Sequence, residues 1–213
     1  MRPDLLFFRK GDLRDFLEYK KLELKKEVER YDSNYILNVS EEDFCQYLVS
    51  KYSLKPPKIY EDKIYVYSQK EVDVDVSRDS MRPIFVKGVQ IIIAVPFEGD
   101  GELFQYRPSG FTFNPPRGEV VGKETHLIYE MVEHNAERLK QECQQELNEI
   151  KEYLEWVERD VNAFNGSLDQ FVRQLISQRK KKLLDDLRLV SSLGIPIKPR
   201  EDMPTTYTIP SIR

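Results

Sequence analysis

The chain has 213 residues, of which 40% are hydrophobic and 33% charged, with a formal net charge of −4 at neutral pH. That length holds one sizeable domain, or a smaller one with an extended helical arm. The acidic balance argues against a generic nucleic-acid coat and leaves only local basic patches for such contacts. No segment approaches the roughly 18 apolar residues of a membrane span. The apolar run Leu5-Leu6-Phe7-Phe8 is too short for the core of a signal peptide. Cys45 and Cys143 sit inside helical patterns and read as small apolar residues of a reducing compartment. The expectation is a cytoplasmic protein with no membrane partner and no cofactor.

Gly11-Asp12 opens an amphipathic helix that runs to about Arg30. Leu13, Phe16, Leu17, Leu22, Leu24 and Val28 supply its apolar faces. Lys20, Lys21, Lys25 and Lys26 form a basic rim, diluted by Glu18, Glu23, Glu27 and Glu29. Tyr35-Ile36-Leu37 reads as a short buried loop or strand. Ser40-Glu41-Glu42-Asp43 then starts a second helix, with a hydroxyl to cap an orphan amide and acids in the first turn. Pro56-Pro57 ends that segment.

From Lys58 the period changes from about 3.6 to 2. Ile64 to Tyr67 makes a short strand, and Glu71-Val72-Asp73-Val74-Asp75-Val76 alternates strictly, valines on one face and carboxylates on the other. Val89-Gln90-Ile91-Ile92-Ile93-Ala94-Val95 is β-branched and apolar on both faces, which marks a central strand. Glu98-Gly99-Asp100-Gly101-Glu102 is a turn leading to Leu103-Phe104-Gln105-Tyr106, and Thr125 to Val132 is the last strand. Five or six short strands joined by turns predict a mostly antiparallel sheet.

The remaining scaffold is a heptad seam. Leu147, Ile150, Leu154, Val157, Val161, Phe164, Leu168, Phe171 and Leu175 recur at steps of three and four, continuing from Leu139 and Cys143. A stripe this narrow predicts a partner helix, from this chain or from a second copy. Asn165-Gly166-Ser167 interrupts it. Glycine is a common helix stop and Ser167-Leu168-Asp169-Gln170 resembles a capping box, so a helical hairpin fits. The unbroken phase across the interruption instead fits one long helix, and both readings stay open here. Gly194-Ile195-Pro196 stops the helix, and the proline-bearing stretch to Arg213 reads as an extended segment or linker.

These elements predict an α+β fold. Residues 1–57 form N-terminal helices, and 58–133 an antiparallel region packing with them as one domain. Residues 134–193 form a coiled-coil helix or hairpin, and 194–213 a proline-rich tail.

Chemistry is harder to find. Glu71, Asp73 and Asp75 offer oxygens to a hard cation, but neighbours two apart on a strand sit roughly 7 Å apart. Glu98, Asp100 and Glu102 are better placed yet too few for a calcium loop. Glu61-Asp62-Lys63 has the E-x-K form of metal-dependent nucleases, a triplet common by chance in so charged a chain. His126 and His134 have no second ligand at metal spacing. Arg179-Lys180-Lys181-Lys182 is the strongest basic run, and consecutive residues spray around a helix as a collar. It serves Asp185 and Asp186, or nucleic acid.

Leu193-Gly194-Ile195-Pro196-Ile197-Lys198 and Met203-Pro204-Thr205-Thr206-Tyr207-Thr208-Ile209-Pro210 resemble the end of an N-terminal region seen in uncharacterised bacterial proteins. Val95-Pro96-Phe97-Glu98-Gly99, Tyr106-Arg107-Pro108-Ser109 and Phe164-Asn165 belong to the same pattern. In those proteins a PD-(D/E)XK restriction-endonuclease-like domain follows. The resemblance covers most of the chain and carries over no catalytic residue. It implies a non-catalytic module of an antiphage defence-type protein that assembles it or senses a trigger. The expected function is an interaction module that forms a homo-oligomer through the seam. A nucleic-acid-binding module and a metal-dependent hydrolase are the alternatives.

Overall fold

The computed structural model describes residues 4–77, 83–132 and 135–195. His134 and the expected linker beyond 195 lie outside the described residues. The helices are α1 (Leu13–Arg30), α2 (Ser33–Asn38), α3 (Glu41–Tyr52) and α4 (Ala136–Ser192). The strands are β1 (Lys58–Ile59), β2 (Tyr65–Asp75), β3 (Phe85–Glu98), β4 (Glu119–Val121) and β5 (Glu124–Met131). The fold is α+β, with an antiparallel sheet, N-terminal helices and a long C-terminal helix. The apolar run at Val89 to Val95 is its central strand. β3 pairs with β1 and β2, and with β5, which in turn pairs with β4.

Two short segments differ from expectation. Tyr35-Ile36-Leu37 is helical in α2, because the Asp32 carboxylate accepts the Asn34 amide at 2.8 Å and so caps a turn that buries Ile36. Gly101–Gln105 is a 3₁₀ turn that plugs Leu103 and Phe104 into the core. Gly99 ahead of it has φ +89°, and a Cβ there would meet the Pro56 carbonyl oxygen. Only glycine fits so close a backbone approach.

The chain forms two compact units that cut across its linear order: Met1–Asp15 with Lys55–Val161, and Phe16–Leu54 with Asn162–Arg213. The N-terminal helices and the sheet are therefore not one unit, because α1 and α3 find their apolar partner in the C-terminal half of α4.

In the first unit, Val89, Ile93, Val95 and Phe97 of β3 and Thr125, Leu127 and Tyr129 of β5 are buried on one sheet face. Leu147, Ile150, Tyr153, Leu154, Val157 and Val161 of α4 are buried with them. The segment Leu5 to Gly11 is a strap threaded along this core. Leu6 N–H donates to the Pro116 carbonyl (2.9 Å) and Arg9 N–H to the Gln105 carbonyl (3.0 Å). Phe7 sits at φ +64°, rare for a bulky residue, and is fully buried. Its ring lies 4.9 Å from Tyr153 and 5.3 Å from Phe104. That packing offsets the roughly 1–2 kcal/mol a non-glycine residue pays there.

The second unit packs α1, α2 and α3 with the C-terminal half of α4. Glu42–Arg173 (2.7 Å) and Glu41–Lys180 (3.3 Å) ion pairs, with the Cys45–Asp169 contact, run α3 antiparallel to α4. Glu27 takes Lys51 (2.6 Å) and the Tyr52 hydroxyl (2.7 Å), while Tyr31 meets Phe44, so α1 also runs antiparallel to α3. Leu17, Leu24, Val28, Phe44, Cys45, Leu48, Leu168, Val172 and Ile176 are buried.

The interruption in the seam does not break the helix, which continues through Asn165-Gly166-Ser167. Asn165 uses its amide to clasp the chain leaving α3. It accepts Leu54 N–H at 3.0 Å and donates to the Leu54 carbonyl at 2.8 Å. Gly166 is exposed, and nothing lies within 4 Å of where its Cβ would be. Gly166→Ala is therefore expected to stabilise the chain by about 0.5–1 kcal/mol. A chemical melt checks this; a loss of stability would mean a turn there.

Candidate interaction surfaces

The seam residues divide into two sets. Leu147, Ile150, Leu154, Val157, Val161, Phe164 and Leu168 are each no more than 6% exposed within the single chain. That expected surface for a second copy is already covered. Phe171 and Leu175 are only half-buried, and Val172 and Ile176 take their places at 0%. A straight helix turns every 3.6 residues, so a 3.5-residue seam drifts by about 20° per heptad. From Leu147 to Leu183 the buried stripe follows the 3.6 period and packs as a globular helix face.

Past Leu183 the covering stops. Every residue from Leu184 to Ile195 is exposed. Leu187 (47%) and Val190 (41%) continue the buried stripe, with Leu184 (45%) and Leu193 (61%) beside them. α4 thus carries roughly two and a half turns beyond Leu183, its last buried residue among those described.

The basic collar at the same place is partly used. Lys180 pairs with Glu41 and Arg179 is half-buried. Lys181 and Lys182 are exposed with no ion pair among the described residues. On α1, Lys20 pairs with Glu23 and Lys21 with Glu18, both at 3.5 Å. Lys21 also lies over the Phe164 and Phe171 rings. Lys25 and Lys26 are exposed without an ion pair among the described residues.

The candidate acids are likewise occupied. Lys87 lies across the strands from Asp73 (2.9 Å) and Glu71 (3.7 Å). Asp75 takes Ser77, Glu98 takes the Tyr60 hydroxyl, Asp100 takes Lys55 N–H and Glu102 takes Lys10. Glu61 pairs with Lys151 at 2.6 Å. His126 is buried against Tyr67 and reaches Glu124 at 3.2 Å. Among the described residues, no group of three or more His, Cys, Asp or Glu could hold a metal ion. Both cysteines are free thiols, and burial pushes Cys45 up to about 11, away from nucleophilic use.

One acid lies in a cleft of about 360 Å³ between β5 and α4, lined by Arg117, Tyr129, Glu142 and Glu149 among others. Glu146 accepts Arg117 N–H (2.6 Å) and the Tyr129 hydroxyl (3.4 Å). Burial raises its carboxyl above the ordinary 4.5, and Glu149 adds to this, against the lowering from Arg117 and Tyr129. The folded state therefore binds more protons than the unfolded one above pH 4.5. Stability from this group is full below that pH and falls as pH rises through the raised value. Glu146→Gln is expected to remove that slope; unfolding midpoints of both proteins from pH 4 to 8 check it.

No family model, curated protein or solved structure matches the chain. Function therefore has to be read from these surfaces. Among the described residues no helix is long and apolar enough to cross a membrane. The sequence patterns missed Asn165, Tyr153 and the Ser109–Asp160 clasp (2.7 Å), which are polar or aromatic residues used to fasten loops. Tyr153 carried an apolar signal, since it widens the stripe between Ile150 and Leu154, while Asn165 and Ser109 stood in motifs that pointed to a helix stop and to a resemblance, not to fastening.

Proposed function

We propose that the chain is a non-catalytic self-assembly module, working as the assembly part of a bacterial defence-type nuclease system. The observation that carries the reading is the projecting end of α4. It continues the buried stripe as Leu187 and Val190, which no other helix among the described residues covers. Two such ends packed together would bury Leu184, Leu187, Val190 and Leu193 of each copy, the same device α4 uses against α1 and α3. The resemblance to regions preceding a nuclease-like domain supports an assembling role and supplies no catalytic residue.

Replacing Leu187 and Val190 together by Glu is expected to remove this contact without unfolding the chain, since both side chains are already exposed. Light scattering coupled to size exclusion should show the assembly shrink. An unchanged mass would contradict the role given to α4. The nucleic-acid reading keeps only Lys25, Lys26, Lys181 and Lys182 as free exposed cations among the candidates. Binding through so few phosphate contacts would be weak, with a salt dependence shallower than that of an extended basic surface.

A further inference from the structure

The sheet has a second face, and its residues follow from the strand register, because directly opposed residues project to the same side. Val72 lies opposite Gly88, Val74 opposite Val86, and Ile92 opposite Ile128. All alternate with the buried Val89, Ile93 and Leu127, so they share the outer face. Val86 is 39% exposed, and Val72, Val74, Ile92 and Ile128 are half-buried. β5 pairs with β3 only as far as Val89, while β2 and β3 run on together to Asp75 and Phe85. The extension is a two-stranded ribbon with one apolar face and, on the other, Glu71 and Asp73 beside Lys87. Two strands alone are marginally stable in water, and an open apolar face is unusual unless something covers it.

The same face carries a row of three polar residues across the strands. Lys70 of β2 opposes Gln90 of β3, which opposes Glu130 of β5. Gln90 donates to Glu130 at 2.8 Å. Lys70 and Glu130 stand two strands, about 10 Å, apart, and neither has an ion pair among the described residues. The row therefore reads positive, neutral, negative.

Such a row is complementary to itself. A two-fold axis parallel to β3 lays β2 of one copy over β5 of the other. Lys70 then meets Glu130 of the second copy, and the reverse pair forms on the opposite side. Ile92 meets Ile92, and Val86 meets Val86, at the spacing of packed sheets. We propose that the outer sheet face docks a second copy of this chain in this arrangement. The interface is isologous and closed. It rests on the reading of the chain as a self-assembly module but uses a surface separate from the end of α4. With both surfaces active, copies alternate between the two contacts and assemble beyond a dimer.

The test uses the full chain and sedimentation equilibrium. With Leu187→Glu and Val190→Glu removing the α4 contact, the expected species is a dimer held by the sheet faces. Adding Lys70→Glu, an exposed change, sets like charges together and should weaken that dimer about tenfold or more. Adding Glu130→Lys as well reverses both charges and should restore it. A monomer in the α4 variant, an unchanged dimer with Lys70→Glu, or no recovery in the charge swap would each overturn the sheet-face contact. Lys70→Glu with α4 intact should still dimerise through α4. A monomer there would count against the α4 reading and leave the sheet-face result standing.

Discussion

Tyr153→Ala is expected to lower the unfolding free energy by about 3–5 kcal/mol, the range for removing a buried aromatic side chain. Tyr153 is fully buried and is held through both its ring and its hydroxyl. Its ring stacks on Phe7 and meets Trp156 edge-on at 5.0 Å. Its hydroxyl donates to the Thr112 carbonyl at 3.0 Å and accepts Thr112 N–H at 2.9 Å. Truncation would leave a cavity beside the left-handed Phe7 and strand both Thr112 groups. Tyr153→Phe keeps the ring and should cost about 1–3 kcal/mol, the share of the unmet hydrogen bonds. Urea melts of the two variants separate the packing loss from the polar one. Equal losses would mean the ring packing contributes nothing.

The second large effect concerns the phase of α4. Ile176→Ala should cost about 2–5 kcal/mol, whereas Leu175→Ala, one residue earlier and half-buried, should cost roughly 1 kcal/mol or less. The helix is apolar at Phe171, Val172, Leu175 and Ile176 alike, so pattern alone supports either stripe. A 3.5-residue seam selects Phe171 and Leu175. A straight helix packed on α1 and α3 selects Val172 and Ile176. The melts of these two variants show directly which stripe faces the bundle. A larger loss at Leu175 would restore the coiled-coil phase.

This ambiguity marks where the sequence was informative. Most strand and helix types were legible because periodicity is a local property, and Ser40, the valine alternation and the Val89–Val95 run each declared their element, whereas the six residues of α2 were too few to show a period. What α4 packs against was not legible, since a stripe reports that a partner exists and not which one. The continuity of the helix at Gly166 was half-legible. The unbroken apolar phase pointed to it, while the chemistry of Asn165-Gly166-Ser167 pointed to a stop. The structure gives those residues other work. Asn165 holds Leu54, and Ser167 bonds back to the Phe164 carbonyl at 2.7 Å. Tyr106-Arg107-Pro108-Ser109, noted for its resemblance, likewise fastens loops. Arg107 Nε donates to Asp12 at 2.6 Å, and Ser109 grips Asp160.

The candidate acids failed as a site for a related reason. Spacing on one strand shows which carboxylates share a face, but the neutralising partner comes from across the sheet. Lys87 was invisible to that reading because register is set by pairing. The same register, once known, makes the Lys70–Gln90–Glu130 row readable.

The most direct measurement is the mass of the unmodified chain in solution, followed by light scattering from dilute to near-millimolar concentration. A self-assembly module should exceed the monomer mass and grow with concentration. A constant monomer mass at the highest concentration would contradict it.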